Sequence, residues 1–224
     1  MIPIRDANPT ERLPLLTFIL IAINVIAFTV AWQKGPGAFQ ETILELGLIP
    51  LLWIERGFSP EPVLTSMFMH GSWAHLIGNM WFLWIFADNV EDRLGPWRFL
   101  LLYFLSGVGA AIFQVVTRPD SMIPMVGASG AISGVMGTYM VFFPRAKVLV
   151  WLPLFYFIVL PASLFVGLWF VIQFLSGGCQ ALAAEADIGG VAYWAHVGGF
   201  VVGWVMGRVW KDRAQEVRSQ DSML

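Results

Sequence analysis

Two short segments contain the polar residues most suited to chemistry. Ser129 stands within Gly127–Gly130 and His196 within Ala195–Gly199, each inside or at the edge of a long uncharged stretch. A polar side chain in an apolar segment of membrane length is unfavourable and is by default a functional candidate. A serine becomes a nucleophile when a neighbouring base accepts its proton. The pair therefore predicts covalent catalysis, with Ser129 as nucleophile and His196 as base.

Both residues also have ordinary structural explanations. A serine at a helix start commonly caps the helix, and a histidine among membrane helices can simply hydrogen-bond a neighbouring helix. The surrounding glycines favour chemistry, because Gly127 and Gly130 leave room for a substrate backbone beside the hydroxyl of Ser129. A helix that begins at Ser129 would also present unpaired N–H groups, which suit an oxyanion.

Glycine spacing indicates how the two residues could meet. Three glycines follow Ser129 on or near one helical face, and three follow His196 at four-residue spacing: Gly130, Gly134, Gly137 and Gly199, Gly203, Gly207. Small residues at such spacing let membrane helices pack closely. His196 lies three residues before Gly199 and therefore on the same face. Packing of the two faces would bring His196 within hydrogen-bond distance of Ser129.

A third polar group lies upstream, where His75 and Asn79 are four residues apart and share a helical face. One interpretation is a polar pair that holds membrane helices together. The other is a pair of side-chain donors that point at the oxyanion and join the backbone N–H of Ser129. His70 is five residues before His75 and points elsewhere, so we expect it to make a structural hydrogen bond.

Composition identifies the class of protein. Of 224 residues, 58% are hydrophobic and 12% are charged, and no charged residue lies between Lys147 and Glu185 or within Leu13–Gln33. A soluble domain carries roughly twice that charged fraction. The chain is therefore predicted to be an all-α polytopic membrane protein. A net charge of −2 without a basic run excludes nucleic acid as an expected partner, and the single cysteine, Cys179, excludes an intramolecular disulfide and a cysteine metal cluster.

Six segments are predicted to span the membrane: Leu13–Trp32, Ser72–Ala87, Trp97–Thr117, Ser129–Phe143, Val148–Leu175 and Val191–Trp210. The fifth contains Pro153 and Pro161, which predict kinks or a late helix start. The fourth would rise only about 22 Å, less than the roughly 30 Å of hydrocarbon. Ser129 would then lie below the outer surface, after a non-helical stretch over residues 121–127. Such backbone requires cover by protein or contact with water, so we expect a water-filled cavity that opens to the outer side.

Basic residues predict the orientation. With six spans, ten of the thirteen Lys and Arg residues fall on the side that holds both termini. The positive-inside bias places that side in the cytoplasm. Residues 1–12 are then a cytoplasmic segment, 13–210 a transmembrane domain, and 211–224 a charged cytoplasmic tail that we expect to fray. A minimal six-span chain suits a prokaryotic plasma membrane.

The outer connection over residues 34–71 is unusually apolar for a loop. It could merely pack on the helix bundle. We favour a segment that lies in the outer membrane interface and is partly inserted, with Trp53 at headgroup depth.

The sequence lacks the residues that several alternative mechanisms require. No Asp or Glu lies in the apolar part of any predicted span, so a dyad of serine and histidine is expected in place of a triad with an acid. The serine segment is not G-x-S-x-G, because Ala131 occupies the last position, and H-E-x-x-H is absent, which disfavours a zinc protease. No metal or cofactor is expected. A small transporter is disfavoured, since we find neither an internal repeat nor an intramembrane carboxylate.

Together, the three motifs resemble the rhomboid family of intramembrane serine proteases. They are Gly127–Gly130 with its serine, His70-x4-His75-x3-Asn79, and Ala195-His196-x-Gly198-Gly199-x3-Gly203, in the family's order over about residues 62–207. The resemblance implies a rhomboid core bundle of six transmembrane helices that cleaves membrane-helix substrates near their outer ends.

The resemblance also implies roles for individual residues. Ser129 would be the nucleophile and His196 the general base and acid, while His75, Asn79 and the Ser129 N–H would form the oxyanion hole. Gly127, Gly130, Gly199 and His70 would support them structurally. Residues 34–71 resemble the family's membrane-embedded first loop. The fifth span resembles the helix thought to form a lateral gate, through its residues Phe155, Phe157, Trp169 and Phe170.

The chain departs from some family members at two places. Ser133 stands where some carry a tyrosine against the histidine ring, so Tyr139 or a glycine-lined contact would have to support His196. Trp53 and Arg56 are separated, where some members have an adjacent Trp-Arg pair. The alternative function is a catalytically inactive rhomboid-like protein that binds client helices. The sequence leaves the substrate and the oligomeric state open.

Overall fold

The computed structural model describes the backbone of residues 1–152, 156–182 and 191–221, and the side chains of 1–152, 156–179 and 191–211. Within these residues the chain is mostly helical and also forms one three-stranded sheet. The helices are α1 Leu15–Trp32, α2 Pro36–Leu46, α3 Pro50–Glu55, α4 Glu61–Ser66, α5 Trp73–Leu94, α6 Pro96–Thr117, α7 Ser129–Phe142, α8 Ala162–Leu182 and α9 Tyr193–Asp221. The strands are β1 Ile2–Asp6, β2 Lys147–Leu152 and β3 Tyr156–Pro161.

The short helix α7 forms the centre of the structure. It is buried from Gly130 to Tyr139 and packs against α5, α6, α8 and α9. By length and composition, three helices of the described chain could cross a membrane: α1, α6 and the Ala162–Cys179 part of α8. These three present apolar side chains outward, whereas α7 is enclosed by its neighbours.

Helix α5 is longer than the second predicted span, which was expected to end before the charges at Asp88–Arg93. The helix continues to Leu94 and stops at Gly95, which has a positive φ of 76°. The reason lies in Glu91, a buried residue whose carboxylate accepts hydrogen bonds from the backbone N–H groups of Leu16 and Thr17 at 2.9 and 2.8 Å. This carboxylate satisfies N–H groups in the first turn of α1, which have no acceptor within the helix.

The fifth predicted span is wrong in its first half, where the described residues form two antiparallel strands instead of a helix. Strand β2 pairs antiparallel with β3, from Lys147 opposite Pro161 to Leu152 opposite Tyr156. Strand β2 contains two valines, and β3 contains one isoleucine and one valine, residue types that favour extended backbone. The helix begins only after Pro161, which agrees with a late start. Phe157 therefore lies in β3, while Pro153 and Phe155 lie outside the described residues.

The N-terminal segment also departs from an all-α chain. Strand β1 pairs antiparallel with β2 and forms an edge of the sheet. The indole N–H of Trp81 on α5 donates to the carbonyl of Pro3 at 2.6 Å. At the end of the strand, the carboxylate of Asp6 accepts hydrogen bonds from Tyr139 on α7 and Asn89 on α5. Residues 1–12 thus contact the bundle at the end of α7 opposite Ser129.

The apolar loop over residues 34–71 contains α2, α3 and α4 and packs on the bundle. Leu48 and Val63 are buried against Ala111 and Val115 of α6. Leu48 also exchanges backbone hydrogen bonds with Met125, in the stretch that leads to α7. The indole N–H of Trp53 donates to the carbonyl of Ser59 within the loop at 2.6 Å. The depth of this loop in a membrane stays a prediction.

At the other end of the chain, α9 does not stop at Trp210. It continues to Asp221, so the expected fraying of residues 211–224 is not seen in the described backbone. The ammonium of Lys211 donates to the carbonyl of Val141 at 2.8 Å, near the end of α7. Cys179 on α8 is exposed and unpaired.

Candidate active site

Helices α7 and α9 approach each other at their glycines. A Cβ atom built on Gly199 would lie 1.9 Å from the carbonyl oxygen of Gly130, and one on Gly203 would lie 1.9 Å from that of Gly134. No side chain fits at such distances, so the backbones touch directly. The two predicted glycine faces therefore meet, and they meet one turn from Ser129 and His196.

This contact brings the serine and the histidine together. The Nε2 atom of His196 lies 2.8 Å from the Oγ atom of Ser129. Ser129 is the first residue of α7, the cap position is Ala128, and the cap has no side-chain hydrogen bond. The hydroxyl therefore does not cap the helix but faces the imidazole. In this geometry Nε2 can accept the hydroxyl proton.

The second nitrogen of the imidazole has a partner that the sequence did not predict. The Nδ1 atom of His196 lies 2.8 Å from the Oε1 atom of Gln173 on α8. The ring of Trp169, one turn earlier on α8, is 5.8 Å from the imidazole ring. One signal was available, because Gln173 is the only Asn or Gln between Lys147 and Leu175.

Tyr139 does not support the histidine, so that expectation was wrong. Its hydroxyl donates to Asp6 at the far end of α7. Ser133, which occupies the position of a ring-supporting tyrosine in some relatives, donates to the carbonyl of Ser129 at 2.6 Å. Its hydroxyl is therefore used within α7, and the imidazole has its neighbours Gln173 and Trp169 on α8.

Donor groups from α5 converge just before Ser129. Gly127 has a φ of +125°, and a Cβ atom at this position would lie 2.7 Å from Nε2 of His75 and 3.6 Å from Nδ2 of Asn79. Only glycine combines that backbone conformation with so close an approach. The N–H of Ser129 lies in the same place, at the first turn of α7, where backbone donors have no acceptor within the helix.

Hydrogen bonds leave these two side chains free to donate. The Nδ1 atom of His75 accepts from the N–H of Gly71 at 3.4 Å, an arrangement that places the proton on Nε2. The amide of Asn79 donates one hydrogen to the carbonyl of His75 at 3.0 Å and keeps a second. Neither side chain bonds another helix among the described residues, so the pair does not act as an interhelical link there.

A cavity of about 510 Å³ connects these groups. Its lining includes Ser129, His196, His75 and Asn79, together with Trp169 of α8 and Gly71 of the loop before α5. The stretch 121–127, which borders the cavity through residues 125–127, is non-helical as predicted. The predicted nucleophile, base and donors thus face one shared space.

Comparison with known proteins places this site in a family. The Rhomboid domain family matches residues 59–213, well over half of the chain and including every predicted site residue. The chain belongs to the rhomboid family. It is accordingly a membrane protein with transmembrane helices.

Individual relatives come from several compartments. The chain is 31% identical to "Rhomboid protein 1, mitochondrial" of Saccharomyces cerevisiae over 196 residues, which cover 86% of this chain and 52% of the yeast protein. It is 33% identical to "Rhomboid protease GluP" of Bacillus subtilis over 124 residues, 55% of this chain and 24% of that protein. It is 31% identical to "Rhomboid-like protein 11, chloroplastic" of Arabidopsis thaliana over 114 residues, 46% and 40% of the two chains.

Similarity to these rhomboid relatives does not establish the location of the protein. The chain spans about half of their length or less. Since they include mitochondrial, chloroplast and bacterial proteins, they do not support a prokaryotic plasma membrane over an organelle membrane. That location stays a prediction.

His70 differs from the expectation for it. The ring is fully buried, and neither nitrogen has a partner of good hydrogen-bond geometry among the described residues. Burial lowers the pKa of His70 to about 3, a larger effect than the opposing one of the Phe68 backbone. The neutral ring packs edge-on against His75, with 5.1 Å between ring centroids. His70 thus contacts His75 through its ring, and its supporting role in the site stays a prediction.

A second amide, also not predicted from the sequence, fixes the start of α9. The Oε1 atom of Gln114 on α6 accepts from the N–H of Ala195 at 3.2 Å, one residue before His196. Helix starts leave such N–H groups without partners, so this buried side chain positions the turn that carries the histidine.

Proposed function

We propose that this rhomboid protein is a serine endopeptidase that hydrolyses peptide bonds in or near the transmembrane segments of membrane-protein substrates. The observation that supports this most strongly is the 2.8 Å contact between Ser129 Oγ and His196 Nε2 at the wall of a cavity. An inert serine at a helix start would be expected to cap the helix, and this one does not.

In the proposed reaction, the Oγ atom of Ser129 attacks the carbonyl carbon of the scissile bond as His196 Nε2 accepts the hydroxyl proton. The carbonyl oxygen becomes an oxyanion, which the N–H groups of Ser129, His75 and Asn79 stabilise. The imidazolium then donates its proton to the leaving amine as the C–N bond breaks. Water attacks the acyl-enzyme by the same route and releases the second product, which restores the serine hydroxyl.

For the membrane arrangement, we propose that α1, α5, α6, α7, α8 and α9 are six spans with both termini on one side. The distribution of ten basic residues against three supports this orientation. Residues 13–210 would form the protease domain, with residues 34–71 associated with the outer interface. Residues 1–12 and 211–224 would lie on the opposite, cytoplasmic side.

The substrates are expected to be transmembrane proteins whose helix unwinds at one end. A stable helix keeps its carbonyl groups hydrogen-bonded, so the peptide bond must be freed before Ser129 can attack it. Small or helix-breaking residues near the cut would lower this cost. No cofactor is required by the proposed reaction.

A cleavage assay in liposomes tests the proposal. A panel of single-span proteins with small residues near one membrane boundary is incubated with wild type, Ser129→Ala, His196→Ala and the control Ser163→Ala, which alters an exposed serine on α8. We expect wild type and the control to cleave, and the two site variants to lose about 10⁴-fold or more of the rate.

Cleavage by Ser129→Ala at the wild-type rate would contradict the proposal. Binding of the same spans by wild type without any cleavage would instead support the alternative, a rhomboid-like protein that binds client helices without catalysis.

A further inference from the structure

We propose that Gln173 is a positioning residue that fixes the tautomer of His196. The ability of His196 to accept the proton of Ser129 then depends on the position of α8 relative to α9. This inference rests on the proposed protease function for its kinetic consequence. Its structural content, the protonation of one particular ring nitrogen, can be measured without any substrate.

The neutral imidazole of His196 has two nitrogens, of which one carries a hydrogen and the other a lone pair. A base for Ser129 must present the lone pair from Nε2, since that atom lies 2.8 Å from the hydroxyl. The hydrogen must then be on Nδ1. Within the described part of the chain, the acceptor for that hydrogen is Oε1 of Gln173 at 2.8 Å.

The type of residue at position 173 suits its surroundings. In a triad of serine, histidine and aspartate, a carboxylate orients the imidazole and fixes its tautomer. A carboxylate on α8 would be costly, because this helix is a candidate membrane span that otherwise presents apolar side chains. A neutral amide provides the same acceptor oxygen at a lower cost of burial.

The position of Gln173 on α8 couples the base to that helix. On one side, α8 packs against α9, where the rings of Phe170 and Phe200 are 4.4 Å apart. On the other side it is exposed, with Val171 and Ile172 each 49% accessible. A displacement of α8 away from α9 would separate Gln173 from His196 and release the ring. The base is therefore correctly oriented only while α8 lies against α9.

The test uses the small number of histidines. The chain has three, His70, His75 and His196, so ¹⁵N-histidine labelling of the full chain in lipid gives three rings, and His196→Ala assigns one of them. The variants are Gln173→Leu and Gln173→Met, which both remove the amide. Gln173→Glu keeps an acceptor oxygen, and Ile172→Ala is the control on the exposed side of α8.

We expect His196 to carry its proton on Nδ1 in wild type and Ile172→Ala, and to show a substantial Nε2–H population in the Leu and Met variants. The same two variants should lose about 100-fold in kcat with KM changed less than about 2-fold. Gln173→Glu should retain more of kcat than either. Two apolar variants are used so that one that fails to fold does not decide the result.

The inference is overturned if a folded Leu or Met variant keeps the wild-type tautomer and kcat, or if wild-type His196 is protonated on Nε2. Failure of the proposed function is a separate result. In that case wild type neither cleaves substrates nor reacts at Ser129, while the tautomer measurement still decides the role of Gln173.

Discussion

At the level of single residues, the candidate site is built from polar side chains and backbone N–H groups. Among the described residues, no Asp or Glu contacts His196, whose two nitrogens face Ser129 and Gln173. His70 is uncharged at neutral pH because of its burial. In the proposed reaction, the stabilisation of charge would therefore depend on oriented dipoles, mainly the donors of α5 and the N-terminus of α7.

The donors of α5 provide the first prediction. Truncation of His75 or Asn79 to alanine should lower kcat by about 10²–10³-fold for each residue, because one hydrogen bond to the oxyanion is lost. KM should change little. Steady-state kinetics with a reconstituted substrate measure the effect, and Ile77→Ala is the matched control, since Ile77 is 60% exposed on the same helix. Full activity in both donor variants would show that the oxyanion is stabilised elsewhere.

At the scale of residues, the sequence was informative where a polar side chain stands in an otherwise apolar segment. Ser129 and His196 stood out because they are polar residues among glycines in apolar segments, and the structure places them together. Gln173 was missed because its partner is 23 residues away, across a connection whose path the sequence does not specify. Spacing identifies pairs within one helix, such as His75 and Asn79, and the glycine faces that bring Ser129 and His196 together, but it gave no such signal for Gln173.

At the level of elements, the contact of α7 with α9 sets the distance between Ser129 and His196. The backbones touch at Gly130 and Gly199, so the relative position of the two helices has little freedom. At the start of α9, the side chain of Gln114 on α6 accepts a hydrogen bond from the backbone. At the start of α7, the hydroxyl of Ser133 donates to the carbonyl of Ser129. Ser129 and His196 thus each lie at a helix start that has its own side-chain hydrogen bond.

Gly199→Ala is predicted to destabilise the protein and to misplace His196. The added Cβ atom would lie 1.9 Å from a backbone oxygen, which cannot move aside as a side chain can. Overpacking of this kind costs about 1–3 kcal/mol or more. Gly167→Ala on α8 is the control, because a Cβ atom there meets nothing within 4 Å and should be neutral or stabilising by up to about 1 kcal/mol. Thermal unfolding in detergent compares the two, and equal midpoints would contradict the packing described.

The sheet provides a prediction of pH dependence. Burial raises the pKa of Asp6 above its ordinary value of 3.8, although the hydrogen bond from Tyr139 opposes the shift. A raised pKa means that the folded state favours the protonated acid. This contribution to stability is present below about pH 3.8 and is lost as the pH rises through the folded-state pKa.

Asp6→Asn keeps an acceptor oxygen and cannot ionise, so its melting temperature should fall less than that of wild type between about pH 4 and pH 8. Tryptophan fluorescence during heating measures the difference. Asp120→Asn, which alters an exposed carboxylate, should follow wild type. A slope for Asp6→Asn equal to that of wild type would contradict the role given to burial.

Elements were predicted well where periodicity and end signals agree, and poorly where composition alone was available. The glycine and proline at residues 95–96 and Gly127 before α7 marked helix ends correctly. The stretch after Lys147 is uniformly apolar, and such a run does not distinguish strand from helix. Strand β1 was missed because its partner, β2, lies more than 140 residues later in the chain.

At the level of the whole molecule, the site lies at one end of α7 and the sheet at the other. The loop over residues 34–71 and the stretch 121–127 cover the first end, where Leu48 and Met125 pair. Strands β1, β2 and β3 cover the second end, where the carboxylate of Asp6 accepts a hydrogen bond from the hydroxyl of Tyr139. The central helix is thereby held at both ends by segments distant in sequence. This arrangement explains how a helix of 14 residues keeps Ser129 in a fixed position within the bundle.

The central claim is that His196 activates Ser129, and reaction of the intact protein in liposomes with a fluorophosphonate probe tests it most directly. Mass spectrometry of the labelled peptide identifies the modified residue. We predict stoichiometric labelling of Ser129 in wild type and in Ser163→Ala, and labelling reduced by at least about 10²-fold in folded His196→Ala. Labelling of Ser129 at the same rate without the imidazole, or no labelling of Ser129 in folded wild type, would contradict the account.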